Sequence, residues 1–214
     1  MNKIRLRILT LDSVGKEGEE AAERAAGSFS RFGVFCESAG FGREALRNVR
    51  YRSFVRDILA SPERHCISDL ATGRILDILG EVFFTKGIIG IGVTDKSIYS
   101  REGCMKRELI GAGLFGSCAF ISTKIIGSFP PESRGRAIEA AAKHEIGHTL
   151  IDIDGHCPDG RCIMQANDGS IERFLEIARL GLDFCGPCTL AIGRGVRILE
   201  DGAITRGRSD PLFD

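Results

Sequence analysis

The sequence predicts an α/β (α+β) chain forming a single domain, 1–214, and three observations predict it. Ile4 to Leu11, Lys16 to Arg31 and Gly33 to Cys36 read as strand, helix, strand. Gly87 to Val93 is an apolar run of the kind that forms a buried strand. Glu132 to Leu150, just after Pro130 and Pro131, carries the longest helical pattern. A length of 214 residues suits one core in two lobes, residues 1–150 and a smaller lobe, 151–214.

The opening MNKIRLRILTLDS places Arg5 and Arg7 among apolar residues before the chain turns acidic, a strand leading to a helix start and not a secretory signal. The Ala- and Glu-rich stretch from Lys16 forms the helix, and Val34 and Phe35 centre the next strand. Tyr51 to Leu59 is expected to be helical. Ser68 to Glu81, with Leu70, Ile75, Ile78 and Leu79 on one side, is expected to be an amphipathic helix. Between Glu108 and Ile126, Gly111, Gly113 and Gly116 suggest a loop or bulged strand followed by a strand. This stretch lacks the Gly-Lys-Ser/Thr ending of a phosphate loop. The tail RGRSDPLFD is polar.

Charge narrows the partners. Lys plus Arg equals Asp plus Glu at 29 each, so the chain as a whole has no electrostatic attraction for nucleic acid or an acidic membrane, and neither is expected as a partner. No run approaches the ~20 apolar residues of a spanning helix. A cytoplasmic location is expected, where thiols stay reduced and clustered cysteines are metal ligands before they are disulfides.

The chemistry is concentrated in KHEIGHTLIDIDGHCPDGRCIM, Lys143 to Met164, which holds three of the four histidines. HEIGH places His144 and His148 one helical turn apart, able to bind one zinc ion, with Glu145 beside them. Zinc acidifies water, and a carboxylate outside the ligand shell takes the proton as that water attacks a carbonyl. Ile138, Ala142, Ile146 and Leu150 form one helical stripe, and Ala141, His144, Glu145 and His148 an adjacent one, so the helix is expected to bury the first and offer the second to the metal.

A third ligand cannot come from the same straight helix. His156 would stand about 18 Å from His144 along a continuous helix, so the chain must turn back, with Gly155 as the left-handed cap residue and Asp152 and Asp154 on the way. Cys157 and Cys162, then Cys185 and Cys188, are spaced as C-x4-C and C-x-x-C around a segment that folds back as a helix, a closed tetrahedral thiolate site. CGPC alone also reads as a redox motif, but a second cysteine pair next door favours metal. Cys36, Cys66, Cys104 and Cys118 lack partners at ligand spacing and read as buried and inert, and His65 as a loop or core residue.

HEIGHT, His-Cys, Cys-x-Met and the later C-x-x-C together resemble the archaemetzincins, a branch of the metzincin zinc peptidases, over Lys143 to Cys188. The resemblance implies a twisted mixed sheet backed by helices, with an edge strand lining the cleft; Ser117 to Ile126 is the candidate edge strand. It implies two zinc ions per chain. His144, His148 and His156 would hold a catalytic one, with Glu145 as general base and Met164 in the methionine turn beneath. Cys157, Cys162, Cys185 and Cys188 would hold a structural one in the C-terminal lobe. The implied substrate is a peptide or small protein, with aminopeptidase-like cleavage as one form.

This sequence departs from the family pattern where Ile151 replaces a glycine and two extra residues move His156 downstream. Asp154 stands at the family offset and can ligate zinc. His156 is preferred, because the His-Cys neighbourhood and C-x4-C spacing after it are intact, and two more residues can be absorbed in a turn. Glu172 or Glu176, from a downstream helix, is a third assignment. A misplaced third ligand would leave a catalytically weak or inactive, zinc-stabilised binding protein, the alternative to a peptidase.

Overall fold

The computed structural model describes residues 3–11, 14–37, 87–95, 97–102, 105–151, 155–165 and 171–202. The expected helices at Tyr51–Leu59 and Ser68–Glu81, together with His65, Cys66, Cys104, Asp154 and the polar tail, lie outside them.

Strands β1 (Arg5–Leu11), β2 (Phe35–Glu37), β3 (Ile88–Thr94), β6 (Gly111–Leu114) and β7 (Cys118–Ser122) form one mixed sheet in the order β2-β1-β3-β7-β6. The first four in that order run parallel, and β6 is antiparallel to β7, with Gly111 opposite Ile121 and Gly113 opposite Ala119. All of β3 is buried, as an apolar run flanked by parallel neighbours requires. A separate two-stranded ribbon, β4 (Ile98–Glu102) with β5 (Met105–Leu109), was not anticipated from the sequence.

Helix α1 (Lys16–Gly27) packs its alanines, Ala21, Ala22, Ala25 and Ala26, on the sheet with no exposed surface. It is shorter than expected: the chain tightens into a 3-10 turn over Ser28–Phe32 and reverses at Gly33, whose φ of 79° suits glycine. The following strand begins later than expected, at Phe35, with Val34 buried before it. Glu37 closes this edge by accepting hydrogen bonds from Arg5 (2.8 Å) and from Arg7 (2.6 and 3.1 Å), which holds its carboxyl below the usual range.

Helix α2 (Pro131–Leu150) starts with Pro131 in its first turn, as the sequence predicts. It is buried nearly all round from Ala137 to Leu150, not along one stripe. The reason is its position: α1 packs on one flank, β6 and β7 on another, and helices α3 (Ile171–Leu180) and α4 (Gly186–Glu200) on its C-terminal half. Glycines permit the closest approaches. A Cβ at Gly195 of α4 would fall inside the Leu150 carbonyl oxygen and 2.8 Å from its carbon.

The candidate edge strand was misplaced. Residues Cys118–Ser122 are wholly buried between β3 and β6, and the edge is the preceding strand, β6, which the sequence presents as a loop or bulged strand. Alternating glycines hid β6, since a strand with so few side chains has no apolar alternation to read.

No helix among the described residues is long and apolar enough to cross a membrane.

Candidate metal centres

Helix α2 delivers His144 and His148 to one place by its own periodicity. Their Nε2 atoms lie 3.1 Å apart, close to the ~3.3 Å between two nitrogens that share one zinc at about 2.0–2.1 Å. His144 Nδ1 donates to the Ile163 carbonyl at 2.7 Å, which leaves its Nε2 with a lone pair facing His148. The helix ends at Leu150, with Ile151 extended. Gly155 does take a positive φ, 104°, but five residues past that end and not as the helix cap.

That turn brings His156 back. Its ring lies 5.2 Å from His144 and 5.0 Å from His148 between centroids, and one nitrogen of each of the three lies within 4.8 Å of the others. Asp154 is outside the described residues, as is the side chain of Glu172. Glu176 is exposed and paired with Arg173, and belongs to no ligand cluster. His156, at the mouth, is exposed; His144 is buried.

Burial lowers the pKa of His144 to about 4 and of His148 to about 3, and lowers that of His156 too. All three imidazoles are therefore neutral at pH 7, the form a metal needs. Glu145, only 7% exposed, is pushed up to about 8 by desolvation alone, because no described hydrogen bond or ion pair ends on its carboxylate. A cation beside it would pull that value back down.

This has a measurable consequence. A carboxyl whose folded pKa is raised contributes stability that is full below about pH 4.5 and is lost as pH rises through about 8. Glu145→Gln cannot ionise. With the histidine cluster stripped of metal, the Tm advantage of Glu145→Gln over the parent is expected to grow from pH 5 to pH 8.5. Each pKa unit corresponds to about 1.4 kcal/mol, or ~3–6 °C in Tm for a chain of this size. A gap that stays flat across that range would contradict a buried, unpartnered carboxylate.

The second centre lies next door. The sulfurs of Cys157, Cys162, Cys185 and Cys188 all fall within 4.8 Å of one another, and Cys157 and Cys185 are 3.6 Å apart. Tetrahedral zinc thiolates place sulfurs about 3.8 Å apart, so the set fits zinc. Cys162 Sγ accepts backbone N–H bonds from Met164 and Cys185, both at 3.4 Å. Cys185 begins α4 as its N-cap residue, and that helix carries Cys188 in its first turn.

Without a cation the thiols compete. Burial raises Cys162 to about 11 and raises Cys188, while Cys185 is lowered because hydrogen bonds from the Cys188 backbone and the other thiols overcome its burial. A divalent cation resolves that competition by favouring every thiolate at once. The two cysteines of CGPC thus stand with Cys157 and Cys162 in one four-sulfur cluster.

The turn Cys162–Gln165 joins the two centres. Cys162 belongs to one, the Ile163 carbonyl holds His144 of the other, and Met164 lies beneath the helix. A Cβ at Gly147 would overlap Met164 Sδ and sit 3.2 Å from Phe184 Cε1, so the glycine of HEIGH is what lets Met164 pack against the helix. Backbone bonds close the turn, from Cys157 N to Met164 O at 2.8 Å and from Ile163 N to Asp183 O at 3.0 Å. Asp183 in turn takes a two-pronged bond from Arg31 at 2.7 and 2.8 Å. Of the cysteines expected to be buried and inert, Cys118 is buried, whereas Cys36 is only partly so.

No protein-family model matches the chain, and no curated protein does. Solved structures do. An archaemetzincin from Methanopyrus kandleri is similar over 92% of this chain and 97% of its own, with a TM-score of 0.62 and 20% identity. An archaemetzincin from Archaeoglobus fulgidus, complexed with malonate, is similar over 88% and 99%, with a TM-score of 0.58 and 19% identity. A zinc-dependent peptidase from Methanocorpusculum labreanum is similar over 87% and 99%, with a TM-score of 0.55 and 15% identity. The fold, over most of the chain, is thus that of the solved archaemetzincins.

Proposed function

We propose that the chain is a zinc-dependent peptidase, with His144, His148 and His156 as ligands of a catalytic zinc and Glu145 as the general base. The observation that carries this reading is the convergence of three imidazoles on the helix face that also bears Glu145, whose buried carboxylate no described hydrogen bond or ion pair engages. Structural neighbours that are themselves archaemetzincins or a zinc-dependent peptidase support it.

Zinc, when bound there, supplies Lewis-acid chemistry that brings the deprotonation of water toward neutral pH and polarises a carbonyl. His144 keeps its Nε2 directed to the metal by donating Nδ1–H to Ile163. Glu145 takes the proton from the water that adds to the peptide carbonyl carbon. As the C–N bond breaks, it passes that proton to the leaving amine.

Cys157, Cys162, Cys185 and Cys188 hold a second, structural zinc in this proposal, which organises residues 151–214 as a C-terminal lobe of one domain, 1–214. Substrates are peptides or small proteins, aminopeptidase-like cleavage included, and the setting is the cytoplasm, with neither nucleic acid nor membrane as a partner.

The test is elemental analysis for zinc combined with hydrolysis of a peptide library. The parent is expected to hold two zinc ions per chain and to cleave. Glu145→Gln is expected to keep both ions and lose at least about 10²-fold in kcat, the usual worth of a positioned base. Cleavage undiminished in Glu145→Gln would remove Glu145 from the chemistry. Absence of cleavage with zinc bound at both centres would favour a zinc-stabilised binding protein.

A further inference from the structure

Edge strand β6 lies directly on the HEIGH helix through two alternate glycines. A Cβ at Gly111 would sit 2.5 Å from Glu145 Cγ, 2.8 Å from its Cδ and 2.7 Å from the Phe120 carbonyl oxygen. A Cβ at Gly113 would sit 2.5 Å from the Glu145 carbonyl oxygen and 2.8 Å from His148 Cβ. Neither glycine has a positive φ, so the backbone conformation at these positions is open to any residue. What they need is the absence of a side chain.

The two glycines do different work. Gly113 faces backbone and the root of His148, and so sets how closely strand and helix approach. Gly111 faces the reactive end of Glu145. That carboxylate is buried with no described hydrogen bond to orient it, so packing against the edge strand bears on its rotamer.

We propose that Gly111 is a positioning residue for Glu145: its missing side chain leaves the volume that the Glu145 side chain occupies against the edge strand, and the strand backbone there fixes where the carboxylate stands. The inference rests on the peptidase reading for its kinetic consequence, but the packing that carries it is independent of that reading.

In Gly111→Ala the new methyl meets two neighbours, one a side chain that can rotate and the other a backbone carbonyl held in the sheet. The side chain yields. A displacement of about 1 Å at a catalytic group costs up to ~10²-fold, so kcat is expected to fall by about ten- to a hundredfold. KM is expected to change less than about twofold, and zinc per chain not at all. Gly113→Ala presses on backbone and on a ligand's root instead, so it is expected to lower Tm and weaken zinc retention at the histidines. A Gly111→Ala protein with unchanged kcat, or one in which only KM rises, overturns the proposal.

A second measurement needs no activity. In thermal unfolding of the zinc-loaded protein, Gly111→Ala is expected to lower Tm less in a Glu145→Ala background than in the parent, because truncation empties the contested volume. Equal losses in both backgrounds overturn the proposal. If the parent cleaves no peptide at all, the peptidase reading fails while this cycle still decides the role of Gly111.

Discussion

Cys162→Ser is expected to cost the protein both zinc ions, although only one of them touches that residue in the proposed assignment. Cys162 Sγ accepts N–H bonds from Met164 and Cys185, so it anchors the turn as well as the cluster. The same turn presents the Ile163 carbonyl to His144 and places Met164 under Gly147. A serine oxygen is a poor replacement, because its hydroxyl does not give up its proton as a thiol does and its shorter bond does not reach the common centre.

Losing a structural zinc removes roughly 10–16 kcal/mol of apparent binding energy in isolated zinc-finger peptides at neutral pH. Whole domains have net stabilities of only about 5–15 kcal/mol. The turn is therefore expected to open, His156 to leave with Cys157, and the histidine cluster to lose its third member. Zinc per chain in Cys162→Ser should fall toward zero. His144→Ala should fall only to one, because the cysteine centre draws nothing from that side chain. A Cys162→Ser protein that keeps one zinc, bound as tightly as in the parent, would show the two centres to be uncoupled.

Gly195→Ala is expected to be the most destabilising methyl group that can be added to the described structure. Helix α4 crosses the C-terminal end of α2 with Gly195 against the Leu150 carbonyl, and Phe115 Cε2 lies 3.2 Å from where a Cβ would stand. A backbone carbonyl cannot rotate away as a side chain can, so α4 must move, and Cys185 and Cys188 move with it. Overpacking of this kind costs about 1–3 kcal/mol and at times more. We expect at least about 3 kcal/mol, equivalent to ~6–12 °C in Tm at this chain length.

Gly193, two residues earlier on the same helix, supplies the control. Its Cβ would meet only Arg197 Nη1, at 3.9 Å, so Gly193→Ala should gain the ordinary helix preference of alanine, up to about 1 kcal/mol. The two substitutions are chemically identical and should have opposite signs in thermal unfolding. A Gly195→Ala protein as stable as Gly193→Ala would mean that α4 does not cross α2 in this way.

Much of the proposed site could be read from the residues because its rules are local. His144 and His148 share a face because helical geometry places i and i+4 together, and Pro130 and Pro131 mark where that helix can start. The two cysteine pairs declare themselves by spacing, and the structure brings their four sulfurs together. The apolar run before Asp95 is a wholly buried strand, as its composition requires.

Other features were not legible. The order of elements alone makes Ser117 to Ile126 the candidate edge strand, yet pairing on both sides makes Cys118–Ser122 interior. Position in a sheet depends on which strands pair, and nothing within a strand records its neighbours. The ribbon of Ile98–Glu102 with Met105–Leu109 was missed for the related reason that its polar, charged residues lack a core-facing pattern.

By itself, then, the sequence determined the donor types, their spacing along the helix and the order of the elements, because these follow from covalent connectivity and a 3.6-residue period. Tertiary structure alone decided that His156 returns to the first two histidines, that β6 is the edge laid over Glu145, and that Gly111, Gly147 and Gly195 are contact points. Those outcomes depend on close approach between segments far apart in the chain, and a glycine at such a crossing is, in the sequence, indistinguishable from one in a turn.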